Sequence, residues 1–289
     1  YQLRLDLFKH TPSLLENTWT NYYRLFKNES TRAVDFMLHI LDSRDVISLG
    51  NMHFPDQKVL KAYAKLNCRL LVEKLLPKLF EATAGMASDA LKRWYHADYS
   101  RWSAEDYNES ALRKIVQITK MAVCEYAEKY PDAFISEIVC EEHAKALTGN
   151  EIILVAMMRL PVTSADFVIN WLCDSFPQHL FDHTGSKKDS LAVAKSLLEK
   201  FTAHCTQATF EKVESCIVHW SEPAATMIDT FEYRVKCQKT YPVYYAYWGF
   251  MQKELLPAMD QKRLSNAAKE LLAVLNRNEW IQVPHYRNS

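Results

Sequence analysis

Cysteine and histidine stand three positions apart twice in this sequence, as Cys140/His143 and Cys216/His219, and His204-Cys205 lies shortly before the second pair. On a helix that spacing puts both side chains on one face, where zinc could use them. A structural zinc site takes four ligands converging tetrahedrally, and the Cys216 side of its helix also has to serve packing. Free cysteine behaves as a small core residue, so buried cysteines beside half-exposed histidines account for both pairs, and no metal is expected. Glu137, Glu141 and Glu142 have neither a partner spacing nor a glycine loop for a cation and read as a solvated helix face.

Phosphate binding and nucleophilic catalysis leave stronger marks, and these are missing. A P-loop needs GxxxxGK[ST], because backbone amides must approach phosphate oxygens without a Cβ in the way. Gly185-Ser186-Lys187 matches only the end of that motif, without its first glycine or a preceding strand. No GxSxG elbow and no HExxH helix occurs. The expectation is a chain that is not itself an enzyme, with no catalytic, cofactor-binding or metal-binding residue.

Two aromatic clusters could instead recognise a protein. KRWYHADYSRW (92–102) mixes tryptophan and tyrosine with arginine, and YPVYYAYWGF (241–250) carries aromatics around most of a helix's circumference. Trp, Tyr and Arg are the residues most enriched in interface hot spots. Arg93, Trp94, Tyr99, Trp102, Tyr244, Tyr245, Tyr247 and Trp248 are therefore the candidate partner-binding residues, against the competing account that most of these rings are core. Stacking on nucleic-acid bases would use similar residues. The formal net charge of zero argues against that use, and no direct nucleic-acid binding is expected.

The elements that would position these residues are helices. Only 5 glycines occur in 289 residues, well below the roughly 7% of average proteins, and helices tolerate that scarcity best. The clearest stretch is LLEKFTAHCTQATFEKVESCIVHW (197–220). Leu197, Leu198 and Phe201 share one face; Phe210, Val213, Ile217 and Trp220 repeat at helical spacing, and Thr206 between them is an N-cap candidate. Upstream, Thr11-Pro12 opens a first helix, and Val34, Met37, Leu38 and Leu41 form the inner face of one following Ser30. A pattern from Asp56 runs through Val59, Leu60, Tyr63, Leu66, Leu70 and Leu71 to Pro77, where it must kink or restart. Leu91, Trp94, Tyr95 and Tyr99 share a further helical face.

A long helix over 110–130 carries Leu112, Ile115, Ile118, Thr119, Ala122 and Tyr126 inward. Pro131 starts another, which continues through Phe134, Ile135, Ile138 and Val139 until Gly149-Asn150 breaks it. Residues 152–160 form a compact buried helix, and 164–175 present Phe167, Val168, Trp171 and Leu172. The polar run HTGSKKDS (183–190) is the candidate joint between a first helical stack, 1–182, and a second, 191–289, of one continuous array. Three helices follow Trp220, at about 224–238, 242–256 and 261–277, with Pro257 ending the second. Roughly a dozen helices joined by short loops predict an all-α fold, an α-solenoid or irregular stack of antiparallel pairs, tetratricopeptide-like in shape though without an exact repeat.

The longest apolar run, IILVAMM (152–158), is far short of the roughly 20 residues that cross a bilayer. Seven cysteines, an odd number without framework spacing, point to reduced thiols and a cytoplasmic setting rather than a disulfide scaffold. The chain opens on Tyr1 rather than Met and reads as a portion of something larger.

The pieces LLEKF-x-x-HC-T with F-x-K-V-E-x-x-I-x-x-W, and ELLPAM-x-x-x-RLS in the stretch 247–275, resemble the helical C-terminal region of bacterial antiviral STAND ATPases of the Avs type. Together they cover about a fifth of the sequence. The resemblance implies a sensor array that binds a folded phage protein, terminase or portal, and thereby drives oligomerisation and activates an effector. ATP and Mg would belong to the ATPase module of the parent protein, and no family catalytic residue falls on this chain. The alternatives are a scaffolding α-solenoid of an unrelated large protein, and a helical enzyme with a site built from dispersed residues.

Overall fold

The computed structural model describes residues 26–27, 30–42, 57–84, 111–140, 147–174, 190–220 and 249–277. The fold is all-α: the described elements are helices α1 (Ser30–Asp42), α2 (Gln57–Leu66), α3 (Cys68–Ala84), α4 (Ala111–Lys129), α5 (Leu147–Met157), α6 (Ala165–Asp174), α7 (Ser190–Phe201), α8 (Gln207–Val218), α9 (Phe250–Leu255) and α10 (Asn266–Arg277), with short helical turns between some of them. No strand occurs among the described residues, and none of their helices is long and apolar enough to cross a membrane. The chain divides into two compact units, Tyr1–Leu160 and Pro161–Ser289.

In the first unit α4 is the central element, with α1, α2, α3 and α5 all packed on it. A helix with that many neighbours needs a wide apolar face. Ile115, Ile118, Ala122 and Tyr126 supply the expected stripe, and Val116, Val123 and Ala127 broaden it, all of them buried. Thr119, also buried, is satisfied by donating its hydroxyl proton to the Ile115 carbonyl at 2.8 Å.

The helix does not restart at Pro77, and the break expected at Gly149-Asn150 falls elsewhere. The pattern starting at Asp56 divides at Asn67, and Pro77 sits inside α3. Asn67 directs both its backbone N–H and its side-chain amide to the Tyr63 carbonyl, each at 3.0 Å, a local bond that competes with continued helix. Pro77 lies on the exposed side, while Leu75, Leu76, Leu79 and Phe80 around it are buried and carry the helix across. One consequence is that Leu66, expected inward, is 83% exposed.

The second correction concerns Gly149-Asn150, which lies within the first turn of α5 rather than ending a helix. Glycine's cost in a helix is the backbone freedom it loses, which is greatest in a helix interior and smaller in a first turn that frays. The segment after Pro131 makes a single helical turn, Pro131–Ala133, and then widens into a π-helical turn, Phe134–Ile138, closed by the Val139 N–H on the Phe134 carbonyl at 3.2 Å. Phe134 and Ile138 are buried by that widening, and the helix expected to run on through Val139 stops.

In the second unit α6 packs on α7 and α8, α8 on α9, and α9 on α7 and α10. Leu197, Leu198, Phe201, Phe210, Val213 and Ile217, the apolar stripes of 197–220, are all buried. Trp220 lies beyond α8 and is half-buried. Pro257 falls in a 3-10 turn, Leu256–Ala258, directly after α9. The helix expected at Thr11-Pro12, the one bearing Leu91, the one at 224–238, the start of 242–256, the polar run up to residue 189 and the C-terminal tail lie outside the described residues.

Candidate functional site

The stretches singled out at 197–220 and 247–275 meet around the turn that joins α7 to α8. Thr206 has the extended backbone of an N-cap (φ −61°, ψ 161°), and its hydroxyl oxygen accepts from the Thr209 N–H at 3.4 Å. Asp166, at the first turn of α6, fixes this cap from outside. Its Oδ1 accepts from the Thr206 backbone N–H at 2.9 Å and from the Thr206 hydroxyl at 2.8 Å. Bonds from the Thr209 hydroxyl and the Thr206 N–H stabilise the ionised carboxylate and hold it below the usual carboxylate range.

Arg263 closes the other side of the turn. One guanidinium nitrogen donates to the Thr202 carbonyl and to the Cys205 carbonyl at 3.0 Å, and the other donates to Gln207 Oε1 at 3.2 Å. The guanidinium carbon stands 4.4 Å from the centroid of the Phe210 ring. Thr202 is fully buried yet satisfied: its hydroxyl donates to the Leu198 carbonyl at 2.7 Å and accepts from the Asp260 N–H at 2.9 Å. The bonds that would otherwise be orphaned where α7 ends are therefore supplied from residues 260–263.

Further ties run along the same module. The Ser265 N–H donates to Glu214 Oε1 at 2.8 Å, and Lys195 pairs with Glu254 at 2.8 Å. Gly249 adopts φ 101°, which glycine reaches without Cβ strain, and donates its N–H to Gln252 Oε1 at 2.9 Å. The amide nitrogen of Gln252, a buried side chain, donates back to the Trp220 carbonyl at 2.9 Å and to the Val218 carbonyl at 3.3 Å.

These polar groups are engaged with one another, so what the arrangement does is hold a shape. Among the described residues no group of three or more His, Cys, Asp or Glu could hold a metal ion. His219 turns Nδ1 to the Ser215 carbonyl of its own helix at 2.9 Å. Cys140 is half-buried, and His143 lies outside the described residues. Arg93, Trp94, Tyr99, Trp102, Tyr244, Tyr245, Tyr247 and Trp248 also all lie outside them. Sequence reasoning found the Thr206 cap and missed Asp166 and Arg263. The arginine of the RLS run was the available signal; Asp166 offers none, because its partners are forty positions away.

No protein-family model matches this chain, and no curated protein or solved structure does either.

Proposed function

We propose that this chain is a recognition segment of a larger protein, binding a folded protein partner through a helical surface, and that the parent is an antiviral STAND ATPase whose sensor array reads a phage terminase or portal. One observation supports this reading above the others. The separate stretches that carry the resemblance are physical neighbours: Arg263 of the RLS run caps the HC-T turn and stacks on Phe210, and Ser265 binds Glu214 of the F-x-K-V-E run. Motif residues that serve one another across about fifty positions belong to one unit, as the two pieces of a shared module would. Such a surface recognises shape, with affinity concentrated in a few buried anchors. In the parent, target binding would drive oligomerisation and effector activation, with ATP and Mg on the ATPase module.

The test is co-expression of the intact parent with individual phage terminase and portal proteins, followed by affinity capture. A complex with one of them that is lost on deleting residues 197–275, while the parent stays soluble, supports the reading. Absence of a complex with every terminase and portal tested overturns it in favour of a scaffolding solenoid.

A further inference from the structure

Helices α6 and α8 pack against each other, and each brings a free cysteine to the shared face. Asn170, which bonds Thr209 at 3.4 Å and Lys212 at 3.0 Å, sets the register of that face, and the Cys173 and Cys216 sulfurs are close enough across it to interact. Cys173 is buried and Cys216 half-buried, so the pair has an inner and an outer member. Lys212, one turn before Cys216, bridges the same two helices, with Nζ 2.7 Å from Asp174 Oδ1 and 3.0 Å from Asn170 Oδ1. Its ammonium is close enough to interact with both sulfurs. Of the two thiols, Cys216 is the one that solvent reaches, and a thiol attacks as its thiolate. Burial, first, and the neighbouring Cys216 sulfur, second, keep the proton on Cys173.

We propose that Cys173 and Cys216 form a peroxide-responsive thiol pair whose disulfide staples α6 to α8. Cys216, as thiolate, attacks one oxygen of hydrogen peroxide; the O–O bond breaks, the sulfur becomes a sulfenic acid, and the departing oxygen takes a proton to leave as water. The Cys173 sulfur then attacks the sulfenic sulfur. The S–S bond forms as the S–O bond breaks, and the leaving hydroxide takes the Cys173 proton and departs as a second water. In sum, two thiols and one peroxide give one disulfide and two waters, the thiols being oxidised and the peroxide reduced. Asp174 and Asn170 hold Lys212 beside the pair, tying α6 to α8 where the disulfide would form.

The full chain, reduced and then titrated with hydrogen peroxide, is blocked with an alkylating agent and mapped without reductant. The expected result is a linked peptide joining Cys173 to Cys216, two hydrogens lighter than the sum of its parts and reversed by dithiothreitol. Thermal unfolding should rise by about 5–10 °C on oxidation. Cys216→Ser should abolish both the link and the rise while leaving the melting of the reduced protein unchanged; Cys216 is only half-buried, so this variant folds more safely than one at Cys173. Accumulation of sulfinic acid at Cys216 with no linked peptide overturns the proposal. So does a mixture of pairings in which Cys173–Cys216 is not favoured.

Discussion

Arg263 does at one position what several capping residues would otherwise have to do. Its fork meets the Thr202 and Cys205 carbonyls while its flat face covers Phe210. Arg263→Ala should cost about 2–3 kcal/mol, read from urea unfolding: the Cys205 carbonyl loses its Arg263 donor, the Thr202 carbonyl keeps only the weak Cys205 thiol donor, and a cation–π contact is lost. Arg263→Lys should recover only part of this, because one ammonium can meet the two carbonyls but cannot also reach Gln207 and lie flat on Phe210. Asp166 acts differently, through its charge. Its folded pKa is lowered by the Thr209 hydroxyl and the Thr206 N–H, so the unfolded chain binds the extra proton first. The stability it contributes is present above the unfolded carboxylate pKa and is lost as pH falls through the depressed folded value. Asp166 is half-buried and its bonds to Thr206 lie at the surface, where solvent screens them, so the contribution is small. Asp166→Asn should flatten the acid side of the stability–pH profile and leave the region above neutrality with an unchanged slope.

At the scale of elements, the ends of helices decide the fold more than their middles. Thr206→Ala removes the α8 cap and a donor to Asp166, and should lower stability by about 1 kcal/mol, with Thr206→Ser restoring most of it. Gly249→Ala should also cost about 1 kcal/mol, because alanine at φ 101° places Cβ against the backbone. Both are measurable by circular dichroism melts. Helix middles were legible in the sequence: the stripes of α4, α7 and α8 follow from period alone, since a buried helix needs an apolar residue every three or four positions. The ends were half legible. Thr206 announces itself because a hydroxyl precedes an apolar stripe, whereas Asn67 outcompetes Pro77 as the break only because the leucines flanking Pro77 are held in the core. That tertiary cost is invisible to a local reading. The same holds for Asp166 and Arg263, whose roles depend on contacts 40 and 58 positions away. The aromatic clusters were picked out by composition, a signal that names residue types without saying which face they occupy.

At the scale of the whole molecule, each of the two compact units has its own buried core, one gathered on α4 and the other on the α6–α8 and α7–α9 contacts. A core confined to one unit predicts that damage stays there. Leu198 is fully buried in the second unit, and its carbonyl accepts the Thr202 hydroxyl. Leu198→Ala should cost about 2–5 kcal/mol through lost burial and the cavity left behind. Hydrogen exchange on the full chain would then show amides of α6, α7, α8 and α10 losing protection together, as one cooperative segment. Amides of α3 and α4 should keep theirs, since their partners Leu71, Leu75, Ile115 and Ile118 are untouched. Equal loss of protection in both units would mean that the chain folds as one cooperative body. In that case Arg263→Ala and Thr206→Ala should loosen α4 as much as α8, which makes the three variants a joint measure of how far stability is shared along the chain.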